Sequence, residues 1–133
     1  MNPKRILLLG AETDVGRAAA EALAAAGVRL ALVSSTSDAE AAFGVQRLAR
    51  KLGTVSQAID AMNEAAVRVM VRQVSKQLGG IDATVTCVED DAVVSQVEKL
   101  ARREMKRTGG GVFVDALGVE DIVAAVEGRS GYR

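Results

Sequence analysis

The residues best suited to chemistry sit in turns that follow short apolar runs. The first such turn is Gly10-Ala11-Glu12-Thr13-Asp14-Val15-Gly16-Arg17, where two glycines bracket the start of an alanine-rich stretch. A glycine turn that opens a helix can point backbone N–H groups at a pyrophosphate, and the helix macrodipole favours negative charge there. A second cluster is Glu89-Asp90-Asp91. Three adjacent acids could hold a hard cation, but at a helix start they suit the macrodipole better, so no metal site is expected. Cys87 reads as a small buried hydrophobe, since nothing near it in sequence would depress a thiol pKa. The chain has no histidine, which excludes His-based triads, His-ligated metals and imidazole pH switches.

These turns need a scaffold, and the hydrophobic pattern supplies one. Ile6 to Leu9 is a continuous apolar run bounded by charges and a glycine, as expected of a strand buried on both faces of a parallel sheet. Val15 to Ala26 is an alanine-rich helix that stops at Gly27. Leu30 to Val33 repeats the strand signal, and Ser37 or Asp38 can cap a helix running to about Leu52. Thr54 to Ile59 is a weaker third strand, followed by a helix from Met62 to Leu78 with a stripe at Ala66, Val67, Met70, Val71 and Val74. Ile81 to Val88 makes strand four. A fourth helix follows, with Val93, Val94, Val97, Leu100, Ala101 and Met105 on one face. Val112 to Ala116 forms strand five and Val119 to Glu127 a short last helix, before a polar tail at 128–133 that is expected to be mobile.

Five strand and helix pairs with short connections imply an α/β fold, doubly wound in three layers, with a five-stranded parallel sheet. The length of 133 residues suits one domain spanning the whole chain, which leaves no room for a separate substrate domain. Seventeen basic and seventeen acidic side chains cancel, removing the field that attracts nucleic acid or anionic membrane. Only three aromatics, Phe43, Phe113 and Tyr132, are present, too few for a base-stacking platform. One cysteine cannot form an intrachain disulfide, no apolar run suits a membrane span, and Ile6 to Leu9 is too short for a signal-peptide core. A cytoplasmic protein is therefore expected.

The glycine turn resembles the T-G-x-x-x-G-x-G motif of the short-chain dehydrogenase/reductase family, with Gly10 and Gly16 in the first and third glycine positions. Asp60, followed by Ala61-Met62-Asn63-Glu64, is similar to the family's D-V-T-D region. Leu78-Gly79-Gly80-Ile81-Asp82-Ala83-Thr84-Val85 closely resembles L-G-G-I-D-V-L-V, the most specific match in the chain. Gly109 to Gly118 resembles the G-G-x-I-V-N-I-S-S strand. The likeness covers residues 4 to 118 and implies a Rossmann-like fold. It also implies NAD or NADP as cofactor, held by Gly10, Thr13, Asp14, Val15 and Gly16 at the pyrophosphate, Ser34 after strand two, Asp60 and Ala61 at the adenine, and Thr86 near the end of strand four.

The departures from the family pattern bear on activity. Leu9 takes the threonine position and Asp14 the middle glycine, where a carboxylate lies near the phosphates and a side chain limits backbone approach; weak or absent cofactor binding is expected. Thr86, Cys87, Val88 and Glu89 replace the family's N-N-A-G, and Gly118 falls where the catalytic serine belongs. The connection from strand four to strand five is also shorter than in the family. No Y-x-x-x-K exists, since Tyr132 is followed only by Arg133. No catalytic residue is assigned, and a non-catalytic relative is expected.

Each residue also has a plainer reading. Ser34 and Ser35 supply neither the acidic acceptor nor the arginine by which the family tells NAD from NADP, so that choice stays open, and a solvated loop explains them as well. The two glycines would serve a tight turn alone. Asp60 either meets an adenine or caps the helix from Met62. A receiver domain of two-component signalling would share the strand and helix count, but it needs acids after strand one and a lysine after strand five, where Gly10, Ala11, Asp115 and Ala116 stand. Family members commonly dimerise through helices four and five, and Val93, Val97, Leu100 and Met105 are expected to reach an outer edge as well as the core. A homodimer, or a heteromer with a full-length family subunit, is the expected assembly; the alternative is an NAD(P)-dependent oxidoreductase completed by a partner chain.

Overall fold

The computed structural model describes residues 4–118 and 120–128, so Tyr132 and the expected tail beyond Gly128 lie outside the described residues. The elements run β1 (Arg5–Leu9), α1 (Asp14–Ala25), β2 (Arg29–Ser34), α2 (Ala39–Leu52), β3 (Val55–Ala58), α3 (Glu64–Leu78), β4 (Ala83–Thr86), α4 (Asp91–Arg107), β5 (Val112–Asp115) and α5 (Ile122–Glu127). All strand pairings are parallel, in the order β3-β2-β1-β4-β5.

Side chains alternate across a strand, which explains why β1 is apolar throughout. Ile6 and Leu8 join a core with α1, α2 and α5, while Leu7 and Leu9 join a second core with α3 and α4. All four are fully buried. The chain crosses over β2 and β1 between β3 and β4, so α1 and α2 lie on one face and α3 and α4 on the other, with α5 returning to the face of α1 and α2. The crevice between the carboxyl ends of β1 and β4 is therefore a topological switch point, where open α/β sheets bind ligands.

Capping sets the helix starts. Thr13, Asp38, Asn63, Asp90 and Asp121 each accept from a first-turn amide of the helix that follows. Asp38 rather than Ser37 caps α2, and α3 begins at Glu64, two residues later than expected, because Asn63 is its cap. Asp90 caps α4 through the amides of Ala92 and Val93, which gives the acidic cluster a helix-capping role.

The most family-like segment does its work at the end of the sheet away from the crevice. Asp82 receives both the Nε and Nη2 groups of Arg5, at 2.9 and 3.0 Å, and the Arg5 backbone amide at 2.8 Å. Arg5 Nη1 also donates to the Gly79 carbonyl. These hydrogen bonds hold the Asp82 carboxyl below the usual carboxylate range and raise the Arg5 guanidinium. Gly80 has φ +125°, and a Cβ on it would lie 2.7 Å from Arg5 Nη1, so the second glycine makes room for the clamp.

Helix α4 packs its apolar stripe inward, as expected. Val93, Val97, Leu100 and Met105 are all buried within the single chain, as is Ala101 at 0% exposure. Its solvent side carries Arg102, Arg103, Lys106 and Arg107 instead. Within the single chain the stripe packs on the sheet and α3, with Val94 half-buried at its edge. Among the described residues no helix is long and apolar enough to cross a membrane.

Candidate functional site

A cleft of about 590 Å3 opens over the carboxyl ends of the strands. The turn after β1 contributes Glu12 to Val15, the end of β2 Ser35, the segment after β3 Ala61 and Met62, and the segment after β4 Cys87 to Asp90. Val93 of α4 and Leu117, in the 3-10 turn after β5, complete the wall.

The glycine turn is held by its own hydrogen bonds. Gly10 has φ +95°, and its amide and that of Ala11 both donate to the Val33 carbonyl. A Cβ on Gly16 would stand 2.0 Å from the Gly10 carbonyl oxygen, so this glycine is required by packing alone. The Thr13 hydroxyl donates to the Gly10 carbonyl at 2.8 Å and accepts from the Gly16 amide at 2.9 Å. Its own amide donates to Gly10 as well. The donors of Thr13 and the amide of Gly16 are therefore used inside the turn. The amides left without an acceptor among the described residues are those of Glu12, Asp14 and Val15, and the last two open α1.

Asp14 differs from expectation in its placement. Its side chain is fully exposed and lies 3.7 Å from Arg17, so it leaves the space beside the turn open. Only its charge bears on an anion. That charge has company, because Glu12, Glu89 and Asp90 also line the cleft and, among the described residues lining it, no lysine or arginine does. A bound diphosphate would find three amides and an acidic rim. The donor set fits it, and the rim opposes it.

Other expected positions separate into those at the cleft and those away from it. Ala61 lines it and donates its amide to the Ser35 carbonyl. Ser34 does not face the cleft: it is fully buried, and its hydroxyl donates to the Thr36 carbonyl at 2.8 Å, closing the turn after β2. Asp60 is exposed off the cleft wall and accepts from the Met62 amide at 3.0 Å, a local turn that comes before the Asn63 cap. Thr86 is likewise buried, pointing to the α3 and α4 side in register with Leu9 and Asp115, and its hydroxyl has no hydrogen-bond partner among the described residues. Position along the strand decides this: Ser34 and Thr86 are the last residues of β2 and β4, enclosed within the sheet, whereas Ser35 and Cys87, one residue beyond each strand, line the cleft. Burial, with the charges of Asp115 and Glu12, pushes the Cys87 thiol up to about 12, so it is neutral and unreactive at physiological pH.

The contact that sequence reading missed joins Glu12 to Ser35. The Glu12 carboxylate accepts the Ser35 amide at 2.9 Å through Oε1 and the Ser35 hydroxyl through Oε2. An acid between two glycines, beside a strand whose end carries two serines, was the available signal; only the parallel pairing of β1 with β2 brings the two together.

Comparison with known proteins agrees with this geometry. A family model described as enoyl-(acyl carrier protein) reductase matches residues 10–108. A short-chain type dehydrogenase/reductase from Mycobacterium marinum is 25% identical, with a TM-score of 0.69 over 85% of this chain and 55% of that one. A short-chain type dehydrogenase/reductase from Mycobacterium ulcerans, 24% identical with a TM-score of 0.68, and an NADPH-dependent 3-quinuclidinone reductase from Rhodotorula rubra, 21% identical with a TM-score of 0.66, share the fold over 85% of this chain and 51% of theirs. The chain thus spans about half the length of the solved structures it matches. No curated protein sequence matches it. A parallel sheet wound in this order, a glycine turn at its switch point and a family match over most of the chain have one explanation: the chain belongs to the short-chain dehydrogenase/reductase family.

Proposed function

We propose that this domain is a non-catalytic member of its family that keeps a weak dinucleotide site and acts through assembly, with itself or with a complete dehydrogenase subunit. The observation that carries the reading is the asymmetry of the cleft. At the glycine turn, the amides of Glu12, Asp14 and Val15 and the α1 N-terminus could hold a pyrophosphate, with Ser35 and Ala61 beside the adenosine end. At the far end stand Val88, Val93 and Leu117, with a neutral buried thiol and the Glu89 carboxylate. That end has acceptors and apolar walls, and the position of the family serine is Gly118. A nicotinamide cofactor would bring the hydride chemistry; the chain's own described residues provide binding groups and no hydroxyl pair to move a proton there.

Assembly is the remaining route to function, and the surface of α4 constrains it. On α4, Arg102 pairs with Glu98 and Arg107 with Glu104, while Arg103 and Lys106 add exposed positive charge that two such helices about a two-fold axis would set together, which favours a heteromer with a less basic partner over a homodimer through this helix. Calorimetric titration with NAD and NADP, combined with an absorbance assay over ketone and alcohol panels and light scattering at micromolar concentration, tests the reading. Micromolar or weaker binding, no turnover and a mass above one chain in the presence of a partner subunit are expected. Robust turnover by the chain alone would overturn it.

A further inference from the structure

The cleft has no acid at the end of β2, yet a carboxylate stands there. Glu12 reaches it from the glycine turn, and both of its oxygens are engaged, Oε1 by the Ser35 amide and Oε2 by the Ser35 hydroxyl. Without Glu12 this spot would present two donors, an N–H and an O–H, which together attract an anion. With Glu12 seated on them, the same spot presents a negative charge whose remaining lone pairs accept hydrogen bonds. The sign of the site is thus reversed by one side chain.

A second observation says what that reversal separates. Glu12 also lines a neighbouring cleft of about 440 Å3 between α1 and α2, whose other charged groups are Arg17, Arg47, Asp38 and Glu40. Two guanidinium groups line that cleft. Glu12 thus borders both the cleft whose turn would hold a pyrophosphate and the one whose arginines could receive a further phosphate.

We infer that Glu12 is a specificity-determining residue, accepting the free ribose hydroxyls of an adenosine and rejecting a 2′-phosphate, so that the cleft prefers NAD to NADP. This rests on the proposed dinucleotide site. A diol donates to a carboxylate, whereas a phosphate dianion meets it charge against charge. Ser35 acts as a positioning residue: with both its donors on Glu12, the carboxylate is fixed before any ligand arrives and loses little freedom on binding.

The test is calorimetric titration of the wild type, Glu12→Gln and Ser35→Ala with NAD, NADP, adenosine 5′-monophosphate and adenosine 2′-monophosphate, each variant first checked for a native circular dichroism spectrum and melt. The wild type should bind NAD about tenfold tighter than NADP, and Glu12→Gln should erase the preference by raising NADP affinity about tenfold. Ser35→Ala should reduce the preference by less. The two monophosphates report the ribose end alone and should follow the same order. Equal binding of NAD and NADP by the wild type, or a preference unchanged in a folded Glu12→Gln, would overturn the role of Glu12 while leaving the dinucleotide site standing. No heat with any nucleotide, in the wild type or after Asp14→Asn, would overturn the dinucleotide site and this inference together.

Discussion

Two glycines inside helices, Gly16 in α1 and Gly44 in α2, should respond in opposite directions to the same substitution. Helix propensity alone favours alanine over glycine by about 0.8–1.0 kcal/mol at either position. At Gly44 nothing lies within 4 Å of the added methyl, so Gly44→Ala should stabilise by about that amount. At Gly16 the Cβ would meet the Gly10 carbonyl oxygen at 2.0 Å, well inside the roughly 3.3 Å of a close C–H···O contact. The neighbours that must move are backbone atoms of Gly10 and Ala11, which have no rotamer to change. Moving that carbonyl also disturbs the hydrogen bonds it accepts from the Thr13 amide and hydroxyl, each contributing about 1 kcal/mol. Overpacking of this kind costs about 1–3 kcal/mol, so after the propensity gain Gly16→Ala should destabilise by about 2–4 kcal/mol. In a chain of this size that lowers the melting temperature by about 10 °C, while Gly44→Ala raises it by about 3 °C. Thermal and urea melts followed by circular dichroism read both. If Gly16→Ala melts at or above the wild type, the turn is not packed as described and its glycine was kept for another reason.

Three further outcomes follow from charge and burial. Asp82→Asn should destabilise by about 1–2 kcal/mol near neutral pH, since the Arg5 clamp is about a quarter exposed (28% and 26% for the two side chains) and only partly screened. Because the folded Asp82 carboxyl is held below its ordinary value, its contribution is complete above the unfolded pKa of about 3.9 and is lost as pH falls through the lower folded pKa. The melting difference between wild type and variant should therefore shrink in acid, and a difference that grows there would contradict the clamp. Cys87, 1% exposed and titrating at about 12, should react with a disulfide reagent at pH 8 only as the domain unfolds; rapid labelling of the native protein would show an open path to it. Asp14→Asn should tighten NAD binding about threefold at low salt and much less at 0.5 M, because an exposed charge is screened; an equal gain at both salts would point to sterics instead.

What could be read from the sequence was whatever depends on neighbours along the chain. The all-apolar run of β1 announced a strand buried on both faces, glycines after α2 and α3 marked helix ends, and Leu78 to Val85 announced the family, because periodicity and turn chemistry are local. The parallel, doubly wound sheet followed from the alternation of strands and helices, while the strand order and the switch point came from the tertiary structure. Contacts across strands had no such signal. That Asp82 grips Arg5 and that Glu12 closes on Ser35 depend on register between parallel strands, and that Ser34 and Thr86 are enclosed while Ser35 and Cys87 reach the cleft depends on where each strand ends. A shift of one residue along a strand moves a side chain to the other face of the sheet, so proximity in sequence to a motif does not place a group in the cleft. The α4 stripe teaches the same lesson from packing. Its period correctly marked one apolar face, but only the tertiary structure decided that this face packs on the sheet and α3 with Val94 left at its half-buried edge.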